Sequence, residues 1–220
     1  MNKRTCSHFV LQTCVALSVA AWLTCDSSPL SAQMFAGVAK VDITDRAAGP
    51  VNDPLYVKAL VLKNDATWCV VVTVDAVAIG EIGRIGNDYL PKVRAAIESD
   101  LGIPATSVMV NASHCHGVVH RDTDLRTIEA VKQAANNLVP VHVGVGRGHE
   151  DRIMENRRLI MKDGREIDVR HAYSMPPDDE VAAVGPIDPE IGVLRIDRTD
   201  GRTLAVLYNF ACHPIQGVPS

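Results

Sequence analysis

Hydrophobic and polar residues follow one another along the chain in a pattern that predicts a layered sheet. Alternation predicts a first strand over residues 35–44, and two largely apolar runs, 56–63 and 68–77, predict a hairpin around the turn "NDAT". The second run is apolar on both faces, so we expect both of its faces to be covered. Such a strand needs a layer of structure on each side of the sheet.

Two later segments have the apolar periodicity of amphipathic helices, 86–102 and 122–138. Asn87 is the expected N-cap of the first helix and Gly102 its C-terminal stop, while Asp122 or Thr123 is expected to cap the second. The helices alternate with predicted strands, which favours a fold of α/β class with parallel pairing in at least part of the sheet.

Four further segments complete the predicted layout. They are a short strand over 108–112, a strand over 139–148, a hairpin around the Asp163–Gly164 turn, and a hairpin with strands at 191–197 and 203–211. The Pro- and acid-rich segment 173–190 is predicted to be a loop. We therefore expect a layered mixed β-sheet with flanking helices.

The first 33 residues have the layout of a secretory signal peptide. A basic start is followed by an apolar run over 9–23, which is short for a membrane span, and then by a polar stretch ending in "SAQ". We therefore expect the mature region to cover 34–220 and the protein to be secreted or periplasmic, with membrane association as an alternative. An uncleaved anchor is a second interpretation of the same segment.

Composition narrows the function classes. The 220-residue chain has a formal net charge of −4, and its acidic and basic residues are interspersed. The basic stripe typical of nucleic-acid binding is missing from the sequence, so we expect no nucleic-acid partner. Three cysteines remain after the predicted leader, which is not the even count of a disulfide scaffold. Cys69 is predicted to be a small buried residue.

Candidate chemistry collects where two predicted strands end. "SHCH" follows one strand and places His114 and His116 two residues apart, and His213 follows another strand in "CHP". In extended backbone His114 and His116 would share a face and Cys115 would point away. If the two strand ends are neighbours, His114 and His213 can bind one ion, for which zinc suits neutral imidazole best. His120 would reach the same site or cap the following helix.

Three other residues have competing interpretations. Arg157 begins a predicted strand and is either an anion-stabilising group or a surface arginine. Asp75 ends an apolar strand, where a carboxylate needs a partner, and a role in orienting a ligand histidine is one interpretation. His142 alternates within its strand and is predicted to be a sheet residue without a metal role.

Five segments occur in the same order as motifs of the neutral/alkaline non-lysosomal ceramidase family. They are "FAGVAKVDIT", "VNASHCHG", "ENRR", "DPEIGVLRID" and "LYNFACHP". From about Phe35 onward the chain resembles the amino-terminal part of that family's catalytic domain. The resemblance implies an exported zinc amidase that cleaves the N-acyl bond of ceramide or a related lipid amide, with peripheral membrane contact through its substrate.

The resemblance also implies residue roles. His114 and His213 match the zinc histidines, His116 matches an assisting active-site histidine, and Arg157 matches an active-site arginine. Cys115 and Gly117 replace the Thr and Ser that the family usually has around its first zinc histidine. The family's other zinc ligands, a Glu and a Tyr, and its catalytic serine come later, so the resemblance implies that the domain continues beyond Ser220.

Two other functions remain open on the sequence. One is a metal-dependent hydrolase of phosphoesterase type that uses His114, His116 and His120 together. The other is an exported module, truncated and without catalytic activity. The oligomeric state is not indicated by the sequence.

Overall fold

A computed structural model describes residues 33–169 and 172–213. The predicted signal peptide over 1–33 lies almost entirely outside the described residues. Among the described residues, ten strands and two α-helices form in the order β1 (Met34–Asp42), β2 (Tyr56–Asn64), β3 (Thr67–Val74), α1 (Tyr89–Leu101), β4 (Val108–Ala112), α2 (Thr123–Asn136), β5 (Val139–His149), β6 (Arg158–Met161), β7 (Glu166–Asp168), β8 (Val181–Val184), β9 (Glu190–Arg198) and β10 (Thr203–Phe210).

Seven strands form one mixed sheet in the order β10-β9-β5-β1-β2-β3-β4. The predicted parallel pairing is found between β3 and β4, and the other described pairs in this sheet are antiparallel. The helix that follows β4 does not return the chain to the β4 edge, because β5 pairs with β1 on the other side. The α/β class is confirmed, with β4 and β10 at opposite edges.

β5 changes partner along its length. Its first residues, Val139 and Pro140, pair with β1, whereas the residues from Val141 onward pair with β9. Leu60 and Val71 of the first part of the sheet share a buried cluster with Ile196 of β9. The β9–β10 hairpin therefore packs on one face of the strands that precede it.

The two helices cover the opposite face of β1–β3. Alternate residues of β2 and β3 point into this larger core, among them Val57, Val61, Val70 and Val72, and they pack with buried side chains of α1 and α2. The middle of β3 is buried on both faces, with Val70 and Val72 towards the helices and Val71 on the opposite face, so the predicted two-sided cover holds there. Gly102 ends α1 with φ of 66° and donates its N–H to the Glu98 carbonyl, which confirms the predicted stop.

The predicted cap positions had different outcomes. Asp88, not Asn87, precedes α1, so that prediction was wrong, whereas Asp122 precedes α2 as predicted. Neither aspartate makes a side-chain capping hydrogen bond at its helix. The prediction for Cys69 was also wrong. Cys69 is exposed, because it lies on the face of β3 opposite the helices, beyond the reach of the β9–β10 cluster that covers Val71.

A second sheet has three strands in the order β7-β6-β8. β6 and β7 form the predicted hairpin, with Gly164 at φ of 85° in its turn. β8 lies in the segment that was predicted to be a loop. Its four residues, Val181–Val184, form a strand by pairing with β6, and the short sequence pattern does not indicate this pairing.

Within the described ranges, no helix has the length and apolar character needed to cross a bilayer.

Gly37 sets how closely α2 can approach the sheet. A Cβ at this position of β1 would lie 1.9 Å from the carbonyl oxygen of Ala134, which is α2 backbone. Gly37→Ala should therefore push the helix from the sheet and reduce the free energy of unfolding in urea by about 1–3 kcal/mol. Gly144→Ala, in β5, is the matched control, because a Cβ there has no atom within 4 Å. Equal loss in both variants would contradict the close-approach argument.

Tyr89 joins the two helices at the edge of the core. Its buried hydroxyl lies 2.7 Å from Thr127 Oγ1, and Thr127 itself donates to the Thr123 carbonyl, so the phenol is the donor to Thr127. Burial raises the pKa of Tyr89 to about 12 from an ordinary value of 10. The folded protein thus holds this phenol neutral at pH values where the unfolded chain ionises it.

This pKa difference predicts a loss of stability in alkali. The stabilisation of the folded state by this pKa difference is fully present below pH 10 and is lost between about pH 10 and 12. A difference of two pKa units corresponds to about 2–3 kcal/mol in the free energy of unfolding. Tyr89→Phe leaves the Thr127 hydroxyl bonded to Thr123 and should show a shallower fall in unfolding free energy over this interval. Urea denaturation from pH 9 to 12 measures the difference, and parallel pH profiles for the two proteins would refute it.

Candidate active site

The loop that carries the first two histidines continues the pairing of β3 with β4. Val74 and Ala112 are the last register pair of these strands. Beyond them, the Ser113 N–H donates to the Val74 carbonyl at 2.9 Å, and the Cys115 N–H donates to the Ala76 carbonyl at 3.0 Å. The histidines therefore lie on backbone that is fixed to the neighbouring chain segment.

His114 has a left-handed backbone, with φ of 60°. The sequence prediction of extended backbone at this residue was wrong, because one residue of left-handed conformation interrupts the alternation. Cys115 is nevertheless half-buried against the helix-side core, while the rings of His114 and His116 contact each other edge to face. The predicted separation of the thiol from the imidazoles thus arises from a different backbone geometry.

One ring nitrogen of His114 is occupied by the backbone. Nδ1 lies 2.9 Å from the Val77 carbonyl oxygen, which only accepts hydrogen bonds. Neutral His114 must therefore carry its proton on Nδ1 and present a lone pair at Nε2. Fixing one nitrogen in this way is the usual arrangement of a histidine that binds metal.

Three of the predicted site residues come together. His116 Nε2 lies 3.3 Å from His114 Nε2, with ring centroids 4.9 Å apart, and the His213 ring centroid is also 4.9 Å from that of His114. The rings meet edge to face, with interplanar angles of 86° and 74°. The two histidine-bearing strand ends are therefore neighbours, although β4 and β10 are opposite edges of the sheet.

Arg157 is not joined to this cluster within the described residues. It is exposed, and its carbonyl accepts from the Val169 N–H at 2.9 Å. The preceding Asn156 donates to the Pro186 carbonyl at 2.6 Å and accepts from the Arg158 N–H, which anchors this segment to the chain after β8. Within residues 33–169 and 172–213, no hydrogen bond or ion pair engages the Arg157 guanidinium.

His120 is directed to the start of α2. Its Nδ1 lies 2.9 Å from a carboxylate oxygen of Asp122, which also accepts from Arg126. The Arg126 guanidinium holds the pKa of Asp122 below its usual value. Of the two sequence interpretations of His120, this position fits the one at the helix terminus.

Asp75 contacts no histidine ring in the described chain, so the interpretation that its carboxylate orients a ligand histidine by direct contact was wrong. Its carboxylate accepts from the Ser113 hydroxyl at 3.1 Å, from the Tyr56 N–H at 3.0 Å and from Lys58. The Val77 carbonyl is the group that orients the His114 ring. Sequence reasoning missed Val77 because a backbone carbonyl leaves no signature in the residue type.

Two cavities open on either side of the loop at His116 and Gly117. One, of about 450 Å³, has largely apolar walls that include Val77, Ile82 and Ile85. The other, of about 550 Å³, lies towards Leu55 and the chain around residues 44–53. His116, Gly117 and Val118 line both, so an imidazole lies between two pockets large enough for parts of a small molecule.

A charge pair joins the chain segments around these cavities. Arg84, beside the first cavity, donates to the carboxylate of Asp45, beside the second, and lowers the pKa of that carboxyl. Asp45 also accepts the Ala47 N–H at 3.0 Å. The two loops on either side of the histidine loop are therefore tied to each other.

The donors suit zinc in kind and supply part of a ligand set. Neutral imidazole nitrogen is a preferred zinc ligand, and His114 presents Nε2 with its other nitrogen fixed. Across the described ranges, no three His, Cys, Asp or Glu side chains are grouped closely enough to hold one ion. The described residues therefore supply fewer than the three protein ligands that a catalytic zinc normally has.

The fold is similar to that of solved ceramidases. A structure described as a ceramidase complexed with C2 superposes with a TM-score of 0.62 at 18% identity over 81% of this chain. Neutral ceramidase from Pseudomonas aeruginosa superposes with a TM-score of 0.57 at 17% identity, also over 81% of this chain. At these identities the similarity establishes a ceramidase-like fold.

The chain spans about a third of these structures, 31% and 32% of their respective lengths. No protein-family model matches the sequence, and no curated protein matches it.

Proposed function

We propose that this protein is an exported, zinc-dependent amidohydrolase that cleaves the N-acyl amide bond of ceramide or a related lipid amide. The observation that carries the proposal is the meeting of three imidazoles at two strand ends, with the Val77 carbonyl fixing Nδ1 of His114 so that Nε2 carries the lone pair. The ceramidase-like fold supports hydrolysis as the class of reaction.

His114 and His213 are the residues that we propose to hold zinc. Their rings approach each other from separate β-segments, and both are exposed, so a substrate carbonyl has access to the space beside them. When bound, zinc would supply Lewis acidity, which polarises a carbonyl and makes water more acidic. The remaining ligands of a catalytic site, which normally has three from the protein, are not among the described residues.

His116 is proposed to move a proton during hydrolysis. Water adds to the amide carbon, the C–N bond breaks, and the leaving amine takes up a proton. An imidazole can accept the first proton and return it to the amine, since its ordinary pKa is near neutrality. His116 has the required access because it is exposed and borders both cavities.

The substrate class rests on the two cavities. Their walls next to His116 include Val77, Ile82, Leu55 and Val118, so apolar substituents on either side of an amide could be accommodated there. Arg157 is retained as a candidate for stabilising developing negative charge, since no described carboxylate neutralises its guanidinium. Export follows from the predicted leader, and membrane contact would occur through a lipid substrate.

Changing either proposed ligand should remove zinc and activity together. In the full chain, His114→Ala and His213→Ala should each lower zinc content, and hydrolysis of an N-acyl lipid amide should fall by roughly a hundredfold or more, since even outer partners of a metal site are worth 10–100-fold. Metal analysis and product release by chromatography measure the two effects. His142→Ala, an exposed sheet histidine, is the matched control.

The alternatives give different outcomes. Unchanged zinc content and amidase activity in both variants would end the amidase proposal. Loss of metal in His120→Ala with full retention in His213→Ala would instead favour the phosphoesterase-type site of His114, His116 and His120. Wild-type protein that binds zinc without hydrolysing any amide would favour an exported module without catalytic activity.

A further inference from the structure

The carboxylate of Asp75 contacts three residues beside the start of the histidine loop. Asp75 follows β3, and its side chain is only 15% exposed. One oxygen accepts from the Tyr56 N–H at 3.0 Å and the other from the Ser113 hydroxyl at 3.1 Å, while Lys58 lies 3.1 Å away. The negative charge is therefore compensated independently of Ser113, and the bond to Ser113 is an additional contact.

Ser113 directly precedes the residue with the unusual backbone. His114 has φ of 60°, a conformation that is unfavourable for a residue with a side chain and persists only where its surroundings enforce it. The flanking residues are fixed: Ser113 through its N–H to Val74 and its hydroxyl to Asp75, and Cys115 through its N–H to Ala76. These bonds leave little freedom for the peptide units on either side of His114.

We propose that Asp75 and Ser113 are positioning residues for His114. Their side-chain hydrogen bond holds the left-handed backbone that brings Nδ1 to the Val77 carbonyl and turns Nε2 towards His116 and His213. The effect of this bond on metal binding rests on the proposed function, whereas its effect on the His114 ring does not. Asp75 thus acts on the ring through the backbone rather than by touching it.

The same two strands provide a matched comparison. Thr73 donates to Asn111 at 3.2 Å, a side-chain bond between β3 and β4 that lies two residues before the Asp75–Ser113 bond and on the same face. Thr73→Val removes this bond without touching the loop. The loss of general stability that follows from removing a cross-strand bond should therefore appear in both Ser113→Ala and Thr73→Val. An effect on the His114 ring should appear only in Ser113→Ala.

The test compares Ser113→Ala, Ser113→Thr and Thr73→Val in the full chain. Ring ¹⁵N signals of His114, assigned by their absence in His114→Ala, are recorded without metal at a fixed pH of about 8, where an ordinary imidazole is neutral. Wild type should show the tautomer with its proton on Nδ1. Ser113→Ala should shift towards a mixture of tautomers, whereas Ser113→Thr, which keeps the hydroxyl, and Thr73→Val should match wild type.

Zinc affinity, measured by competition with a chelator, is the second readout. Ser113→Ala should weaken it by roughly 10–100-fold, the usual effect of removing an outer partner of a metal site, with rescue in Ser113→Thr. Wild-type ring signals in Ser113→Ala, or equal shifts in Thr73→Val, would overturn the positioning role. A shifted tautomer in a protein that binds no zinc would uphold the positioning role and count against the proposed function alone.

Discussion

The exchange of partner along β5 is the constraint on which the rest of the structure depends. β4 and β10 are separated by five strands in the sheet order, so in a flat sheet they would lie roughly 29 Å apart. Because β5 leaves β1 after two residues and pairs with β9 from Val141 onward, the β9–β10 hairpin folds over the face of β1–β3. Burial of Ile196 against Leu60 and Val71 stabilises that arrangement and lets His213 meet His114.

The central strands contribute both to the larger core and to the attachment of the histidine loop. The face towards α1 and α2 forms the larger core, where Gly37 allows close helix packing and Tyr89 bridges the helices. β3 and β4 pair in parallel, and their backbone hydrogen bonds continue beyond the last register pair through the N–H groups of Ser113 and Cys115. These bonds hold the histidine loop. Core packing and ring placement are therefore coupled through β3, which contributes both to the core and to the anchor of the loop.

Much of the fold could be predicted from periodicity. The apolar runs located β1 to β5 and both helices, and the Asp163–Gly164 turn marked a hairpin that the structure contains. β8 could not be predicted, since four residues in an acidic, Pro-rich segment become a strand only by pairing with β6. Cys69 was wrongly expected to be buried, because the sequence does not indicate how far a second layer extends over a strand.

The sequence by itself determined which residues have the chemistry: imidazoles directly after two strand patterns, and a carboxylate where an apolar strand ends. It did so because strand periodicity and side-chain type are local properties. The tertiary structure alone decided that His114 and His213 meet and that the Val77 carbonyl fixes the His114 ring. These outcomes depend on how strands far apart in the chain are folded onto one another and on backbone atoms that every residue shares.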